Sequence, residues 1–417
     1  MPQEVDLAVV GASAAGLWAA LAAARTEAGL RIVAVDGARH LGAKILVSGG
    51  GRCNLGHRQV SERDYHGSTP PAIRRVLRRF PVSATLDRFR ELGLEWREEP
   101  PGRLYPSTGR ARSVLEALLD GLRSHGVELR HPFRVESLER NGPGFRLAGP
   151  HGMLTARRVI LATGGRALPK SGSDGRGYAL ARALGHETTA AIHPALVPLR
   201  LEEGCRLRTI PGTAAEARVR VLGAGRGKPP RARGAVLCTH FGVSGPAVLD
   251  ISRHYLALKA AGGAPRLEID WWPAGRDELE RRLLERHGTV SATLRERLPT
   301  RLAQVLAADA AVEPGLPLHR LDRSARRRLL AAVTGGIVPV TGHRGWHKAE
   351  TTAGGIPLAQ LRLETLESRC CPGLHLCGEI CDVDGRLGGF NFQWAWSSGA
   401  VAGAGAARSL CPPGREC

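Results

Sequence analysis

The chain has 417 residues, of which 43% are hydrophobic and only 4% are aromatic, and it carries a formal net charge of +20 at pH 7. It contains no stretch of eighteen uncharged apolar residues, which excludes a transmembrane helix, and no basic leader with a small-residue cleavage site opens it. We therefore expect a cytoplasmic protein of two or three domains with a substantial hydrophobic core.

The positive charge comes almost entirely from arginine, because lysine occurs at only five positions. Arginine-rich runs span residues 74–79, 226–233 and 323–328. An anionic partner such as nucleic acid would suit this charge. Aromatic residues do not interleave with these runs, so no stacking platform for bases is expected. A solvated arginine surface is the favoured interpretation, and a nucleic-acid partner stays open as the alternative.

The N-terminal residues have the pattern of a strand–helix–strand unit. Residues 5–10 form an apolar run typical of a buried parallel strand, residues 17–28 are alanine-rich and predict a helix, and residues 30–36 predict a second strand that ends in Asp36. The turn between the first strand and the helix reads Gly11-Ala12-Ser13-Ala14-Ala15-Gly16. In this context the turn is a dinucleotide-binding fingerprint, with Ser13 in place of the middle glycine.

Each position of the fingerprint has a physical purpose. Gly11 makes the tight turn, Gly16 allows the helix to pack closely on the strand, and the helix N-terminus faces the pyrophosphate. Asp36 is expected to accept hydrogen bonds from the adenosine ribose. An ordinary α/β crossover with a small-residue turn is the alternative.

A glycine-rich segment, Ser48-Gly49-Gly50-Gly51-Arg52-Cys53-Asn54, follows the second strand by about a dozen residues. Three consecutive glycines allow positive φ angles and a close approach of the backbone to a ligand. A plain turn would also tolerate them, but the preceding dinucleotide unit favours a loop that passes along the cofactor. Lys44, just before the loop, is either a phosphate partner or a solvent-exposed lysine.

The next elements complete the first part of the chain. Residues 72–92 and 113–119 predict helices, and residues 127–130 and 145–147 predict strands of a small sheet around Asn141-Gly142. Residues 158–161 predict a buried strand that runs into Thr163-Gly164-Gly165. This turn lies at the carboxyl end of a strand, where open α/β sheets bind ligands.

The pattern changes at about residue 196, which predicts an inserted domain over residues 196–345. Its first part, about 196–272, has short alternating β-like stretches, and its second part, about 273–335, is helical and rich in leucine and arginine. Residues 346–417 return to the first domain, residues 1–195. They predict a strand and turn at 373–379 and a closing helix at 392–407, whose Trp394 and Trp396 are expected in the core.

Two further kinds of site are disfavoured by the sequence. Four of the nine cysteines cluster at positions 370, 371, 377 and 381, but their spacing matches neither a zinc nor an iron–sulfur pattern, so reduced thiols and no metal are expected. A second dinucleotide fingerprint at 223–227 is excluded by Pro229 and Pro230, which prevent a helix from starting there. NAD(P)H stays possible as an electron donor, without a binding domain of its own.

Several blocks of the chain resemble the YhiN-type, or BaiN-like, FAD-dependent flavoproteins, which are described as NAD(P)/FAD-dependent oxidoreductases or as the aminoacetone oxidase family. The blocks lie at residues 48–54, 102–106, 161–165 with 169–173, 352–356, and 377–379 through 399. The resemblance covers the whole length and implies an α/β fold. In that fold a Rossmann-like FAD-binding domain, of the two-dinucleotide-fold flavoprotein type, is interrupted by the inserted domain. Ser13 and Asp36 depart mildly from the family pattern, and the bile-acid specificity of one branch is not carried over.

The resemblance implies FAD as the cofactor and assigns residues to it. Glu379 or Asp382 would bind the ribityl chain, and the N-terminus of the last helix, after Gly389, would face the flavin ring. The expected cofactor contacts are Gly11, Ser13, Ala14, Ala15, Gly16, Asp36, Lys44, Ser48, Gly49, Gly50, Gly51, Arg52, Thr163, Gly164, Gly165, Gly378, Glu379, Asp382, Gly389, Phe390, Asn391 and Phe392.

Substrate contacts are much less defined by the sequence. The candidates are Arg52, Cys53, His343 and Arg386, and no catalytic residue is identified. For Cys53 a small buried residue beside the ring is favoured over a redox or flavin-linked thiol.

The sequence thus predicts an FAD-dependent oxidoreductase that transfers a hydride through flavin N5 to or from a small molecule. An RNA-associated or RNA-modifying flavoprotein, and a flavin-binding sensor without turnover, are the alternatives.

Overall fold

The computed structural model of the protein describes residues 3–223, 227–285 and 287–411. They form two compact units, one comprising residues 3–192 with 351–411 and the other residues 193–350. The boundaries predicted after residues 195 and 345 fall three and five residues from these.

The secondary structure follows the chain in three stretches. The first contains strands β1 (Gln3–Val10), β2 (Ile32–Val35), β3 (Gly56–His57), β4 (Tyr65–Gly67), β5 (Trp96–Glu99), β6 (Arg103–Pro106), β7 (Glu128–Arg130), β8 (Ser137–Asn141), β9 (Gly144–Gly149) and β10 (Gly152–Leu161), and helices α1 (Ala14–Thr26), α2 (Ala43–Val47), α3 (Pro70–Arg79), α4 (Val82–Glu91), α5 (Ala111–Ser124) and α6 (Arg176–Ala183). The second contains β11 (His193–Ala195), β12 (Leu199–Leu201), β13 (Ala214–Leu222), β14 (Arg231–Thr239), β15 (Gly242–Ser244), β16 (Arg266–Asp270), β17 (Gly336–Val338) and β18 (Val340–His343), with α7 (Pro246–Ala260), α8 (Arg276–Leu284), α9 (Val290–Arg295), α10 (Thr300–Asp309) and α11 (Arg323–Gly335). The third contains β19 (Thr351–Ala353), β20 (Leu361–Arg362), β21 (Glu367–Ser368), β22 (Leu374–Leu376), β23 (Val383–Gly385) and α12 (Phe390–Arg408).

The first unit is built on a sheet in the order β20-β21-β22-β10-β1-β2-β7. Strands β22, β10, β1, β2 and β7 are parallel, and their carboxyl ends meet at one edge. The apolar residues of β1 and β2 are buried, as expected for a parallel sheet. The α/β, Rossmann-like fold predicted from the sequence is therefore confirmed.

Helices α1 and α12 pack together because small residues allow their backbones to approach. A Cβ atom at Gly399 would lie 2.7 Å from the Ala15 carbonyl oxygen, and one at Gly403 would lie 2.1 Å from that of Ala19. Trp394 and Trp396 are buried on α12, and their indole N–H groups donate to the carbonyl oxygens of Gly378 and Leu55. These contacts fix the start of α12 next to the strand ends.

Three local predictions were wrong. The helix predicted over residues 72–92 is two helices, because Pro81 breaks it between α3 and α4. Strand β7 pairs in parallel with β2 in the main sheet rather than with the β8–β9 hairpin. The β part of the second unit contains the 15-residue helix α7, whose residues Val248, Ile251 and Tyr255 are buried at helical spacing behind Pro246.

The second unit has a sheet in the order β17-β16-β13-β14-β15-β12-β18, and the helices α8 to α11 lie in sequence between β16 and β17. Part of the disfavoured second fingerprint, residues 224–226, and the cysteine at position 417 lie outside the described residues. No helix within the described ranges has the length and hydropathy needed to cross a lipid bilayer.

Candidate cofactor-binding and active site

The fingerprint turn between β1 and α1 has the packing that its glycines predict. Gly11 has a φ of +100°, and a Cβ atom there would lie 2.4 Å from the Ala162 carbonyl oxygen. A Cβ atom at Gly16 would lie 1.7 Å from the Gly11 carbonyl oxygen, so only glycine lets α1 start this close to the strand. Ser13 precedes the helix in an extended conformation, and no side chain caps the first turn. The N–H groups at Ala14 and Ala15 are therefore open to an anion.

Asp36 ties the end of β2 to this turn. Its two carboxylate oxygens accept hydrogen bonds from the main-chain N–H groups of Ala12, at 2.7 Å, and Ala38, at 2.8 Å. A Cβ atom at Gly172 would lie 3.9 Å from Asp36 Oδ1, so the turn after Pro169 approaches the same carboxylate. Each carboxylate oxygen retains acceptor capacity for a ribose hydroxyl.

The glycine-rich loop forms a short 3-10 turn over residues 48–51 in which all three glycines have left-handed φ angles, +55°, +67° and +86°. The hydroxyl of Ser48 donates to the Ile45 carbonyl oxygen and closes α2. A Cβ atom at Gly50 would meet nothing within 4 Å, and one at Gly51 would come only within 3.9 Å of Leu46. The loop therefore presents bare backbone to open space, as a cofactor contact requires.

The two residues after the glycines are held by the protein itself. Arg52 pairs with Glu99, at 3.0 Å between Nη1 and Oε2, and its guanidinium carbon lies 4.1 Å from the centre of the Tyr105 ring. Cys53 is fully buried with a φ of +56°. Burial raises the pKa of the Cys53 thiol to about 12, although a hydrogen bond with Ser48 lowers it. Cys53 is therefore a protonated, packed thiol at neutral pH.

A polar cluster lies at the carboxyl ends of β10 and β22. The Lys44 ammonium pairs with Glu379 Oε2 at 2.5 Å, and both side chains are mostly buried. Glu379 Oε1 accepts from the N–H and hydroxyl of Thr352, and the Thr352 hydroxyl oxygen accepts from the N–H of Arg166. Lys44 is thus paired within the protein rather than a solvent-exposed lysine, and a contact of its ammonium group with a phosphate stays a prediction.

The cluster also explains two glycines of the site. A Cβ atom at Gly165 would lie 2.3 Å from Thr352 Oγ1, and one at Gly378 would lie 2.7 Å from the Ala15 side chain. Asp382 follows Glu379 by three positions and is buried. Its main-chain N–H donates to the Ile356 carbonyl oxygen at 2.8 Å. The sequence assigns Thr352 no individual role beyond its position in the block at residues 352–356. In the structure its hydroxyl group donates to Glu379 and accepts from the N–H groups of Arg166 and Ala167.

Three buried hydroxyl groups beside the cluster have no hydrogen-bond partner among the residues that the structure describes: those of Thr163, Ser173 and Tyr178. Ser173 lies against Gly164, since a Cβ atom on that glycine would come within 2.9 Å of the Ser173 hydroxyl. A buried polar group without a partner is unfavourable, so a ligand that hydrogen-bonds them would stabilise the fold. These hydroxyls, the open glycine loop and the uncapped α1 N-terminus together fit an elongated dinucleotide such as FAD.

Helix α12 supplies a second uncapped N-terminus. A Cβ atom at Gly389 would lie within 2.5 Å of Gly56 and Asn54, so the end of the glycine-rich segment meets the start of this helix. The Asn391 side chain is occupied by the N–H and carbonyl of Gly385. Main-chain N–H groups at Phe390, Asn391 and Phe392 are therefore what the first turn offers to a ligand.

The remaining substrate candidates lie in different units. Arg386 is exposed, pairs with Asp64 at 3.2 Å, and lies over the Phe390 ring in the first unit. His343 is in the second unit, where its Nδ1 accepts from the Gly345 N–H. Burial, and then Lys259, lower the pKa of His343, so its ring is neutral at pH 7 with the proton on Nε2. Among the described residues no cluster of three or more metal-ligating side chains occurs.

The fold and site define a flavoprotein-type α/β protein with a dinucleotide site at the strand ends. The family model for the HI0933-like protein Rossmann domain matches residues 5–405, and the chain belongs to that family. It is similar to the 3-dehydro-bile acid delta(4,6)-reductase of Clostridium scindens, with 34% identity over 96% of this chain and 98% of that protein. It is also similar to the ribosomal RNA dihydrouridine synthase of Escherichia coli, with 31% identity over 95% and 96% of the two chains.

Solved structures share the fold at low sequence identity. A mutant of the E. coli quinol fumarate reductase FrdA gives a TM-score of 0.54, 17% identity, and coverage of 100% of this chain and 72% of that one. The 3-ketosteroid delta1-dehydrogenase of Sterolibacterium denitrificans gives a TM-score of 0.53, 14% identity, and coverage of 98% and 100%. The protein is an FAD-dependent oxidoreductase, and the predictions of family, enzyme class and cofactor are confirmed.

Proposed function

We propose that the protein reduces a carbon–carbon double bond conjugated to a carbonyl group, and that this bond is C5=C6 of a uridine in RNA. The names of two relatives both denote enzymes that reduce a ring double bond near a carbonyl group. A 3-dehydro-bile acid delta(4,6)-reductase acts on ring double bonds of a ketone, and a dihydrouridine synthase acts on a ring double bond beside a carbonyl. In uridine the hydride would go to C6 and a solvent-derived proton to C5, with a nicotinamide as the source of electrons.

FAD, when bound, would supply the hydride through N5 of its ring. The chain's part is to hold that ring and to favour charge on it. The α12 N-terminus has no side-chain cap on its first turn. Its N–H donors and the positive end of a 19-residue helix dipole would stabilise negative charge on a flavin ring bound beside it. Asn391 fixes the approach to this helix by binding both polar groups of Gly385.

The net positive charge of the chain supports RNA as the substrate. The chain has 59 basic against 39 acidic residues, an excess that a polyanion would neutralise. Part of this excess is exposed in the first unit: Arg78 and Arg79, at the end of α3, take part in none of the ion pairs of the described residues. The dihydrouridine synthases of E. coli and Haemophilus influenzae, similar over 95% of this chain, support the same substrate.

The experiment is a product assay on unmodified ribosomal RNA. The FAD-loaded protein is incubated with NADPH, or NADH, and in-vitro transcripts of ribosomal RNA, and nucleosides are then analysed by mass spectrometry. We expect a uridine that has gained two hydrogen atoms, at one site and only in the presence of the nicotinamide. Absence of dihydrouridine under conditions where FAD is reduced by the nicotinamide would contradict RNA as the substrate.

A small-molecule enone is the second candidate, favoured by the 34% identity to the bile-acid reductase. Incubation of the same protein with a steroid 4-en-3-one distinguishes the two, since both substrates require the same hydride chemistry. Turnover of the enone at a far higher rate than RNA would support this candidate.

A further inference from the structure

The small sheet β3-β6-β5 in the first unit carries charged and aromatic side chains on one face. In its antiparallel register His57 lies opposite Arg103, Glu99 lies opposite Arg103, and Arg97 lies opposite Tyr105. Residues directly opposite one another point to the same side of a sheet. We call this side, formed by His57, Arg97, Glu99, Arg103 and Tyr105, the arginine–aromatic face.

Arg52 from the glycine-rich segment completes this face. It stacks on Tyr105 and pairs with Glu99, and Arg97 donates to the same carboxylate at 3.1 Å. Desolvation raises the pKa of Glu99, but the hydrogen bonds from Arg52 and Arg97 outweigh it and hold the pKa below its usual value. Glu99 is therefore ionised and shared. Three guanidinium groups face one carboxylate, and Arg103 joins none of the ion pairs of the described residues.

The face continues to the start of α12. The His57 ring stacks on Phe390, with 4.9 Å between centroids and 18° between planes. A Cβ atom at Gly388 would lie 3.8 Å from Arg103 Nε. The excess positive charge and two rings thus lie beside the uncapped N-terminus that is proposed to hold the flavin ring.

We propose that the arginine–aromatic face binds the RNA strand next to the target uridine, with Arg97 and Arg103 on its phosphates. The proposal rests on the function proposed above. Guanidinium groups bind phosphate oxygens in bidentate pairs. The partly exposed His57 ring, backed by the buried Phe390, can stack on a base regardless of sequence. The side chain of Arg97 is 51% exposed although it pairs with Glu99. A phosphate can therefore displace Glu99 or share the Arg97 guanidinium with it. A nucleotide flanking the uridine would then be positioned while the uracil reaches the site.

The test compares two double variants of the FAD-loaded protein. Arg97→Gln/Arg103→Gln removes the proposed phosphate contacts. Arg140→Gln/Arg146→Gln removes the same charge from the β8–β9 hairpin, where Arg140 lies over Phe145 and Arg146, 50% exposed, pairs with Glu139. Fluorescence anisotropy with a labelled ribosomal RNA stem-loop, whose target uridine is unpaired, is recorded over a potassium chloride series. The flavin absorbance of each variant checks that the site is intact.

A plot of log K against log salt has a negative slope, and each lost phosphate contact on a single strand reduces the magnitude of that slope by about 0.7. We expect the Arg97/Arg103 variant to lose about 1.4 in slope and to bind about 15-fold more weakly at 0.15 M salt. The control should keep the wild-type slope to within about 0.3. Equal effects of the two double variants would overturn the assignment of this face. Failure of the wild-type protein to bind RNA would instead overturn the proposed function.

Discussion

Substitution of Gly50 by alanine probes whether FAD lies against the glycine-rich loop. In the structure a Cβ atom at this position meets nothing within 4 Å, so the substitution causes no clash within the protein. Its intrinsic penalty is the left-handed φ of +67°, which destabilises a non-glycine residue by about 1–2 kcal/mol. If the cofactor covers the loop, the new methyl group also meets FAD.

Gly142→Ala is the matched control for this experiment. Gly142 has a φ of +56°, is exposed in the β8–β9 hairpin and likewise has no neighbour within 4 Å of a Cβ atom. The two variants should therefore lose a similar 1–2 kcal/mol of unfolding free energy without FAD. Overpacking against a ligand destabilises by about 1–3 kcal/mol, which weakens FAD binding by about 5- to 150-fold, and only in Gly50→Ala.

Both quantities are measurable on the same preparations. Urea unfolding after removal of FAD reports the backbone penalty, and titration with FAD followed by its fluorescence quenching reports the dissociation constant. Similar unfolding free energies with a selective loss of FAD affinity in Gly50→Ala would support the loop as a cofactor contact. Equal FAD affinity in the two variants would refute it.

Three further predictions concern groups whose surroundings are fixed by the fold. Cys53 is buried and has a pKa of about 12, so it should resist iodoacetamide at pH 8 while the exposed Cys370 reacts. Peptide mass spectrometry reports both rates of alkylation, and equal rates would contradict the burial of Cys53. Burial, and then a neighbouring arginine, lower the pKa of His254 to about 4, so its stabilisation is complete above pH 6.5 and is lost as the pH falls towards 4. Urea unfolding should lose about 3 kcal/mol over that window, and His254→Asn should abolish this part of the dependence. Glu379→Gln should lower the unfolding free energy by about 1–3 kcal/mol, because it leaves a mostly buried lysine unpaired, whereas Arg146→Gln, which breaks an exposed pair, should lower it by less than about 1 kcal/mol.

The parts of the site that could be predicted are those encoded by neighbouring residues. The turn from Gly11 to Gly16, the acid at the end of β2 and the closing helix depend on spacings of a few residues, and the structure has each of them. Their main physical requirement, a backbone without Cβ atoms at close approaches, is visible in the sequence itself.

The parts that could not be predicted depend on long-range pairing. Lys44 and Glu379 are separated by 335 positions, and no local pattern indicates that the fold joins them. The fold also brings Arg52 onto Tyr105 and His57 onto Phe390 from distant segments, and no local pattern indicates these contacts. The unpartnered hydroxyls of Ser173 and Tyr178 likewise become apparent only when burial is known.

The central claim, hydride transfer to a uridine of RNA, is tested most directly by a single-turnover experiment without oxygen. The FAD-loaded protein is first reduced with one equivalent of dithionite and then mixed with an excess of unmodified ribosomal RNA transcript. The account predicts that the oxidised flavin absorbance returns, with one dihydrouridine formed for each FAD reoxidised. A flavin that stays reduced with RNA but is reoxidised by a steroid 4-en-3-one would contradict it.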